Sequence, residues 1–226
     1  MNKTLKKSLL FVGGLFFLFG LARITNILQW YKSPSDANYP TIQPGNRIFA
    51  SNMVKPERFS FVCYKWNDAQ FGDHVRVHRL CGLEGDTVEI RDGDLLINGN
   101  FVDSSLPVAH YYMVSKNDIE KVRQFEKIDD ENMLHLPSSD SFLLRLTDRT
   151  VKLHSIPSKR QLLAKSVPDA SISAKFSANW NQDQFGPVVV PKDAYFLLGD
   201  NRNGSADSRY IGFIEKSRFV GTVIGK

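Results

Sequence analysis

Cysteine is scarce in this sequence: Cys63 and Cys81 are the only two among 226 residues. That excludes a disulfide scaffold, and neither has the paired Cys/His spacing of a zinc site. Two buried apolar thiols are expected, with a single Cys63 to Cys81 bridge as the alternative if the domain faces an oxidising compartment. Charge of one sign is not concentrated either. The formal net charge is +5, and the basic residues are scattered rather than gathered into the stripe of a nucleic-acid binder, so nucleic acid is not expected as a partner. Internal repeats and low-complexity tracts are absent. His110, His135 and His154 stand singly without ligand spacing and read as surface or satisfied core histidines, so no metal and no cofactor is expected.

What is present, 42% hydrophobic and 23% charged residues, is globular composition with enough apolar material for a core. The N-terminus is organised differently. Lys3, Lys6 and Lys7 precede an uncharged run rich in Leu and Phe, Ser8 to Ala22. That run alone is shorter than a hydrocarbon core of roughly 30 Å, but continued through Trp30, with Arg23 its one charge, it spans about 34 Å. The lysines predict a cytoplasmic N-terminus, with Trp30 and Tyr31 as anchors at the far interface. The alternative is a cleaved secretory signal, for which Gly20 and Ala22 supply small residues. Either way the remainder is exported.

After this segment comes a Pro, Ser, Asn and Asp-rich loop, Ser33 to Arg47, followed by strand-like runs at Arg47 to Ser51, Phe59 to Trp66 and His74 to Leu80. Period two along the last places His74, Arg76 and His78 on one face. Thr87 to Val102 reads as strands around an Asp92-Gly93-Asp94 turn, with Asn98-Gly99 a second hairpin signal. Between 103 and 179 the punctuation weakens. Asp118 to Ile128 predicts a short helix carrying Ile119, Val122 and Phe125 on one side, and SFLLRLT and TVKLHSI predict strands. The last third offers strands at VVV and YFLL, a polar loop, and a closing strand RFVGTVIG.

Three blocks carry chemistry. Gly199 to Tyr210, GDNRNGSADSRY, is a loop whose Asp, Asn and Ser side chains can bond their own backbone and make it rigid. It resembles the signature of the bacterial type I signal peptidase family, GDNR followed by S-x-DSR. Gly72 to Ile90 is similar to that family's base-bearing strand and the turn after it, with Gly82, Gly85 and Asp86 in place. Ser33 to Arg47 resembles its nucleophile loop, S-x-S-M-x-P-T, through Ser35, Pro40, Thr41 and Gly45; Trp180 to Pro191 is a softer agreement.

The resemblance implies a mainly β fold: a coiled antiparallel sheet core (33–103 and 180–226), an inserted β-rich subdomain (104–179), and an N-terminal anchor (1–32) in the cytoplasmic membrane with the domain on the extracytoplasmic side. It implies a protease in which serine attacks the scissile carbonyl, a neutral lysine takes its proton, and backbone N–H groups with a second serine hold the oxyanion. Signal peptides of exported proteins are the implied substrates, and Tyr39 and Pro40 fall where substrate is met.

Two positions depart from the pattern. Ser35 falls on the serine assisting the oxyanion, but Ala37 falls on the nucleophile, and a methyl group cannot form an acyl-enzyme. Asn38 replaces the usual methionine. His78 stands at the general-base position, where some relatives also carry histidine; an imidazole with an ordinary pKa near 6.5 is a competent base. Ser205, Asp207 and Arg209 match supporting positions, held by an Asp207 to Arg209 or Asp200 to Arg202 ion pair. Two functions are expected to compete: a non-cleaving homologue that binds signal peptides, an active peptidase or export machinery beside membrane lipid, and an active signal peptidase using a displaced hydroxyl such as Ser35. The anchored topology predicts that the mature chain keeps its N-terminal run; N-terminal sequencing that begins at Arg23 would overturn it.

Overall fold

The computed structural model describes every residue except 1, 2, 26, 127, 129–132, 137 and 138. Helix α1 (Lys3–Ile24) has 22 residues, about 33 Å at 1.5 Å per residue. It reaches the required span by starting among the lysines, not by continuing to Trp30. Residue 26, within the expected continuation, lies outside the described residues. Gln29–Lys32 is instead strand β1, because its backbone pairs with β2 (Arg47–Ser51), setting Trp30 opposite Phe49. Among the described residues α1 is the one helix long and apolar enough to cross a membrane, and none of its Thr4–Leu21 window is buried. Its exit is tied down by Asn52, whose side-chain amide donates to the Thr25 carbonyl at 2.8 Å.

The β domain follows. β3 (Phe61–Asp68) and β4 (Gly72–Gly82) form a long hairpin, then come β5 (Thr87–Arg91), β6 (Asp94–Ile97) and β7 (Asn100–Phe101). The Asp92-Gly93 and Asn98-Gly99 turns carry positive φ at both residues, 51° and 79° and then 52° and 80°, the conformation for which Asn/Asp-Gly pairs are selected in two-residue hairpins. β8 (Ala109–Ser115), α2 (Ile119–Arg123), β9 (Leu134–Leu136), β10 (Ser141–Thr147), α3 (Asp148–Leu153), β11 (Ser158–Arg160) and α4 (Ala170–Phe176) occupy the middle of the chain. β12 (Phe185–Val189), β13 (Ala194–Leu198), the short α5 (Ser208–Ile211), β14 (Ile214–Glu215) and β15 (Phe219–Gly225) close it.

Two expectations for the middle region need correction. TVKLHSI does not form a strand: the Thr147 side chain caps the Thr150 amide and Asp148 sits in the first turn, so α3 begins where β10 ends. The helix expected over Asp118 to Ile128 is only α2; Ile119 and Val122 are buried as predicted, whereas Phe125 is exposed and stacks on His154 at 3.6 Å. Residue 127 of that segment lies outside the described residues.

The strands make a seven-stranded antiparallel sheet ordered β1-β2-β15-β3-β4-β13-β14, a four-stranded sheet β12-β5-β6-β7, and a second four-stranded sheet β11-β8-β10-β9 from the middle region. Cys81, Val88, Ile90, Leu95, Phe185 and Phe196 bury one core where the first two sheets meet. The β8–β10 sheet has its own core of Tyr112, Val114, Val122, Leu144 and Leu146. Both cysteines are buried and free. Cys63 lies opposite Val77, so Cys81 is four residues farther along β4, about 13 Å, well beyond the roughly 7 Å a disulfide can bridge.

Buried charge joins these layers. Arg202, 2% exposed, makes two 2.6 Å bonds to Asp103, 6% exposed, and the same carboxylate accepts the Leu95 amide at 2.9 Å. Removing one member of such a pair leaves a buried charge without its partner. Asp103→Ala is therefore expected to cost about 3–5 kcal/mol of stability, read as a lower denaturation midpoint in urea with unchanged slope.

Candidate functional site

The loop from Ser33 to Asn46 is closed at its base by two backbone bonds of 2.8 Å, Ser33 N–H to the Asn46 carbonyl and Gly45 N–H to the Ser33 carbonyl. Gly45 turns there at φ 87°, a region open to glycine without steric cost. Ile42 is fully buried with Ile48, Phe61 and Val220 and anchors the loop in the core. Between these fixed points lies Ala37. Its carbonyl accepts the Asn201 amide at 3.1 Å, and the following residue, Asn38, donates from its side chain to the Val77 carbonyl at 2.8 Å. The loop is thus bonded to the residue immediately before His78.

His78 is 4% exposed in the middle of β4. The ring meets the Tyr64 hydroxyl at Nδ1, 2.8 Å away, and the Ser205 hydroxyl at Nε2, 3.3 Å away. Burial, the largest influence, pushes its pKa down to about 4; the nearby Asp207 carboxylate resists this, while Arg76 and Arg209 add to it. The imidazole is neutral at pH 7. Its neighbour Ser205 is itself buried.

The loop after β13 brings the rest. Asp207, fully buried, accepts the Gly199 amide at 3.0 Å and bonds Arg209 through both oxygens at 2.8 Å. Burial alone would raise its pKa, but the Arg209 guanidinium and the surrounding donors outweigh it and hold the carboxyl below its usual range. Of the two ion pairs expected in this loop, Asp207 to Arg209 forms and Asp200 to Arg202 does not. Asp200 instead binds Arg79 at 2.6 Å and takes the Thr41 hydroxyl, while Arg202 turns to Asp103. Neighbours in sequence lose here because each arginine finds a carboxylate already buried on another element. Gly199 lets this loop approach the Ala37 loop: a Cβ there would lie 2.3 Å from the Ala37 carbonyl oxygen and 2.3 Å from Ser205 Oγ.

Ala37, His78, Ser205, Asp207 and Arg209 are therefore brought together. Ser35 is exposed, its carbonyl accepting the Ser33 hydroxyl at 3.1 Å, and no hydrogen bond joins it to His78 among the described residues. Tyr39 is half-buried under Arg145, whose guanidinium sits 4.2 Å from its ring centre, and its hydroxyl donates to Glu126 at 3.0 Å. Burial and then Glu126 push its pKa up to about 12. Arg145 also pairs with Asp36, so the carboxylate beside Ala37 is engaged. Sequence reasoning assigned no role to the middle region, yet Arg145 and Glu126 belong to it. Only the fold brings them to a loop 109 and 87 residues away. Tyr64 was also missed: it lies opposite Arg76 in the β3–β4 pairing, and no signal in the sequence placed its hydroxyl at His78. Among the described residues no cluster suited to a metal ion occurs.

The sequence model of a family described as "Signal peptidase, peptidase S26" matches residues 5–225. Among curated proteins the chain is similar to a signal peptidase I from Buchnera aphidicola subsp. Baizongia pistaciae, 28% identical over 88% of this chain and 69% of that protein. It is similar to signal peptidase I S of Bacillus subtilis, 26% identical over 85% and 72%, and to signal peptidase I V of the same species, 25% identical over 97% and 98%. A solved signal peptidase I from Enterococcus faecalis V583 is 22% identical over 75% of this chain and 97% of that chain, with a TM-score of 0.35.

The depressed pKa of His78 makes stability depend on pH. Unfolding exposes an imidazole that binds a proton below about 6.5, while the native ring stays neutral down to about 4. The unfolded chain binds more protons in that window, so His78 lowers stability as pH falls through it and has no such effect above it. Between pH 7 and pH 5 the loss due to this one group is about 2 kcal/mol. Denaturation at both pH values is expected to show a shallower slope for His78→Gln than for the unmodified chain.

Proposed function

The chain belongs to the signal peptidase family, peptidase S26, and from that premise we propose that it is a non-cleaving member, which binds signal peptides of exported proteins or a partner peptidase without hydrolysing them. The observation that carries this reading is Ala37, bonded through its carbonyl to Asn201 and adjoining the residue that ties the loop to β4 beside His78. The family's nucleophile position is occupied, ordered and without a hydroxyl. In a serine protease of another fold, loss of the nucleophile lowers turnover by about 10⁶, which removes physiological activity.

The rest of the framework is kept. A loop bonded to its base strand, a buried histidine and a paired Asp207 and Arg209 preserve the shape of a peptide-binding site at the cost of several buried polar groups. Retention of shape without the reacting atom suits capture rather than turnover. The helix α1 fits an anchor in the cytoplasmic membrane with its N-terminal lysines on the cytoplasmic side, in contact with lipid, and the β domain on the opposite side. Tyr39 and Pro40, on the same loop as Ala37, would then border the bound peptide.

A second reading, an active peptidase removing signal peptides, is favoured by one observation: Ser205 Oγ lies 3.3 Å from His78 Nε2. Its hydroxyl is buried, however, at 5% exposure for the residue, whereas a nucleophile must come within about 3.5 Å of a substrate carbonyl. Ser35 is exposed but not bonded to the base. The full-length protein in detergent, given a signal-bearing precursor, is expected to produce no cleaved product, while Ala37→Ser combined with His78→Lys gains measurable cleavage. Cleavage by the unmodified chain that disappears in Ser205→Ala or Ser35→Ala would establish the second reading instead.

A further inference from the structure

A histidine base must face its serine with a bare nitrogen, and which nitrogen is bare depends on the group bonded to the other one. At His78 that group is not a carboxylate. It is the Tyr64 hydroxyl, 2.8 Å from Nδ1. Tyr64 is 1% exposed, packed edge-on against Trp66 with ring centres 6.4 Å apart, so its hydroxyl hydrogen has no solvent to meet. The other hydrogen-bonding group acting on the phenol is the Arg76 guanidinium, which donates and cannot accept. Asp207 is close enough to influence the phenol, but its oxygens are taken by Arg209 and the Gly199 amide. Among the described residues, the one acceptor left for the phenolic hydrogen is Nδ1.

We infer that Tyr64 is a positioning residue that fixes His78 in the tautomer with its hydrogen on Nε2, directed at Ser205 Oγ, so that the base position cannot accept a proton from a hydroxyl on that side. A neutral imidazole has one N–H and one lone pair. With the lone pair at Nδ1 held by Tyr64, Nε2 carries the hydrogen and donates across the 3.3 Å gap to Ser205. The opposite tautomer would place Nδ1–H against the phenol and strand the phenolic hydrogen in the core, an imbalance on the order of tenfold or more in population. Burial supports the same arrangement, keeping the ring neutral and the phenol protonated.

The inference rests on reading His78 as the family's base position and deepens it: the site has lost its nucleophile at Ala37 and, separately, its base is turned the wrong way. In a protease with the usual acceptor on Nδ1, forcing the wrong tautomer costs about 10⁴ in turnover. Ser205, the serine hydroxyl that meets His78, receives a hydrogen bond from it instead of giving one.

The test is a long-range ¹H–¹⁵N correlation spectrum of the full-length ¹⁵N-labelled protein in detergent micelles at pH 7, with His78 identified by the signals lost in His78→Gln. The expected spectrum puts Nε2 in the protonated range and Nδ1 in the bare range. Tyr64→Phe, which removes only the hydroxyl, is expected to shift the tautomer ratio at least tenfold towards Nδ1–H, a change that a purely packing role for Tyr64 would not produce. A proton on Nδ1 in the unmodified chain, or a ratio unmoved by Tyr64→Phe, overturns the inference. The wild-type spectrum decides even if the variant fails to fold. Precursor cleavage by a chain whose Nε2 is protonated would remove the non-cleaving reading and leave the tautomer assignment intact, so the two fail separately.

Discussion

The Asp200 carboxylate is the fastening on which the site depends. It is 1% exposed, lies two residues after the end of β13, and holds Arg79 on β4 at 2.6 Å together with the Thr41 hydroxyl on the Ala37 loop. A buried carboxylate needs its hydrogen-bonding partners, so they must stay where they are. One of them adjoins His78 in sequence and the other is four residues beyond Ala37. A single buried carboxylate thereby sets the spacing between β4 and the Ala37 loop, and Gly199 removes the side chain that would otherwise hold the loops apart.

That fastening belongs to a wider pattern in which polar groups are satisfied across elements. Asp207 keeps Arg209, Asp103 keeps Arg202, and His110, fully buried, is held at Nδ1 by Asp148 at 2.8 Å with Arg160 also bonded to its ring. Each pair tolerates burial because both members are present. Rigidity of this kind preserves a binding surface whether or not a reaction follows. The loop's shape does not depend on the side chain of residue 37, since main-chain bonds, Asn38 and Thr41 hold it.

The middle region contributes to the site in a way that composition did not suggest. Its four-stranded sheet has a separate core, yet Arg145 and Glu126 reach out of it to Asp36 and Tyr39, the residues on either side of the Ala37–Asn38 pair. Tyr39 is thus shaped by two elements at once. Its ring is covered by a guanidinium and its hydroxyl committed to a carboxylate, so the loop is braced from the middle region as well as from β4 and the loop after β13.

Sequence by itself determined the β architecture, the apolar N-terminal helix and the methyl group at residue 37. Strand alternation, the Asp-Gly and Asn-Gly turns and the absence of a hydroxyl at residue 37 are local properties, fixed by side-chain chemistry within a few residues. It misjudged TVKLHSI, where a cap at Thr147 outweighs β-propensity; of the two alternative ion pairs it offered, Asp207 to Arg209 forms, while Asp200 and Arg202 each meet a partner on another element. Only the tertiary structure decided which carboxylate meets which arginine, that Tyr64 and Ser205 occupy the two nitrogens of His78, and that the middle region touches the Ala37 loop. Those outcomes turn on strand register and long-range packing, which place single atoms within hydrogen-bond distance across tens of residues of chain and leave no periodic trace in the sequence.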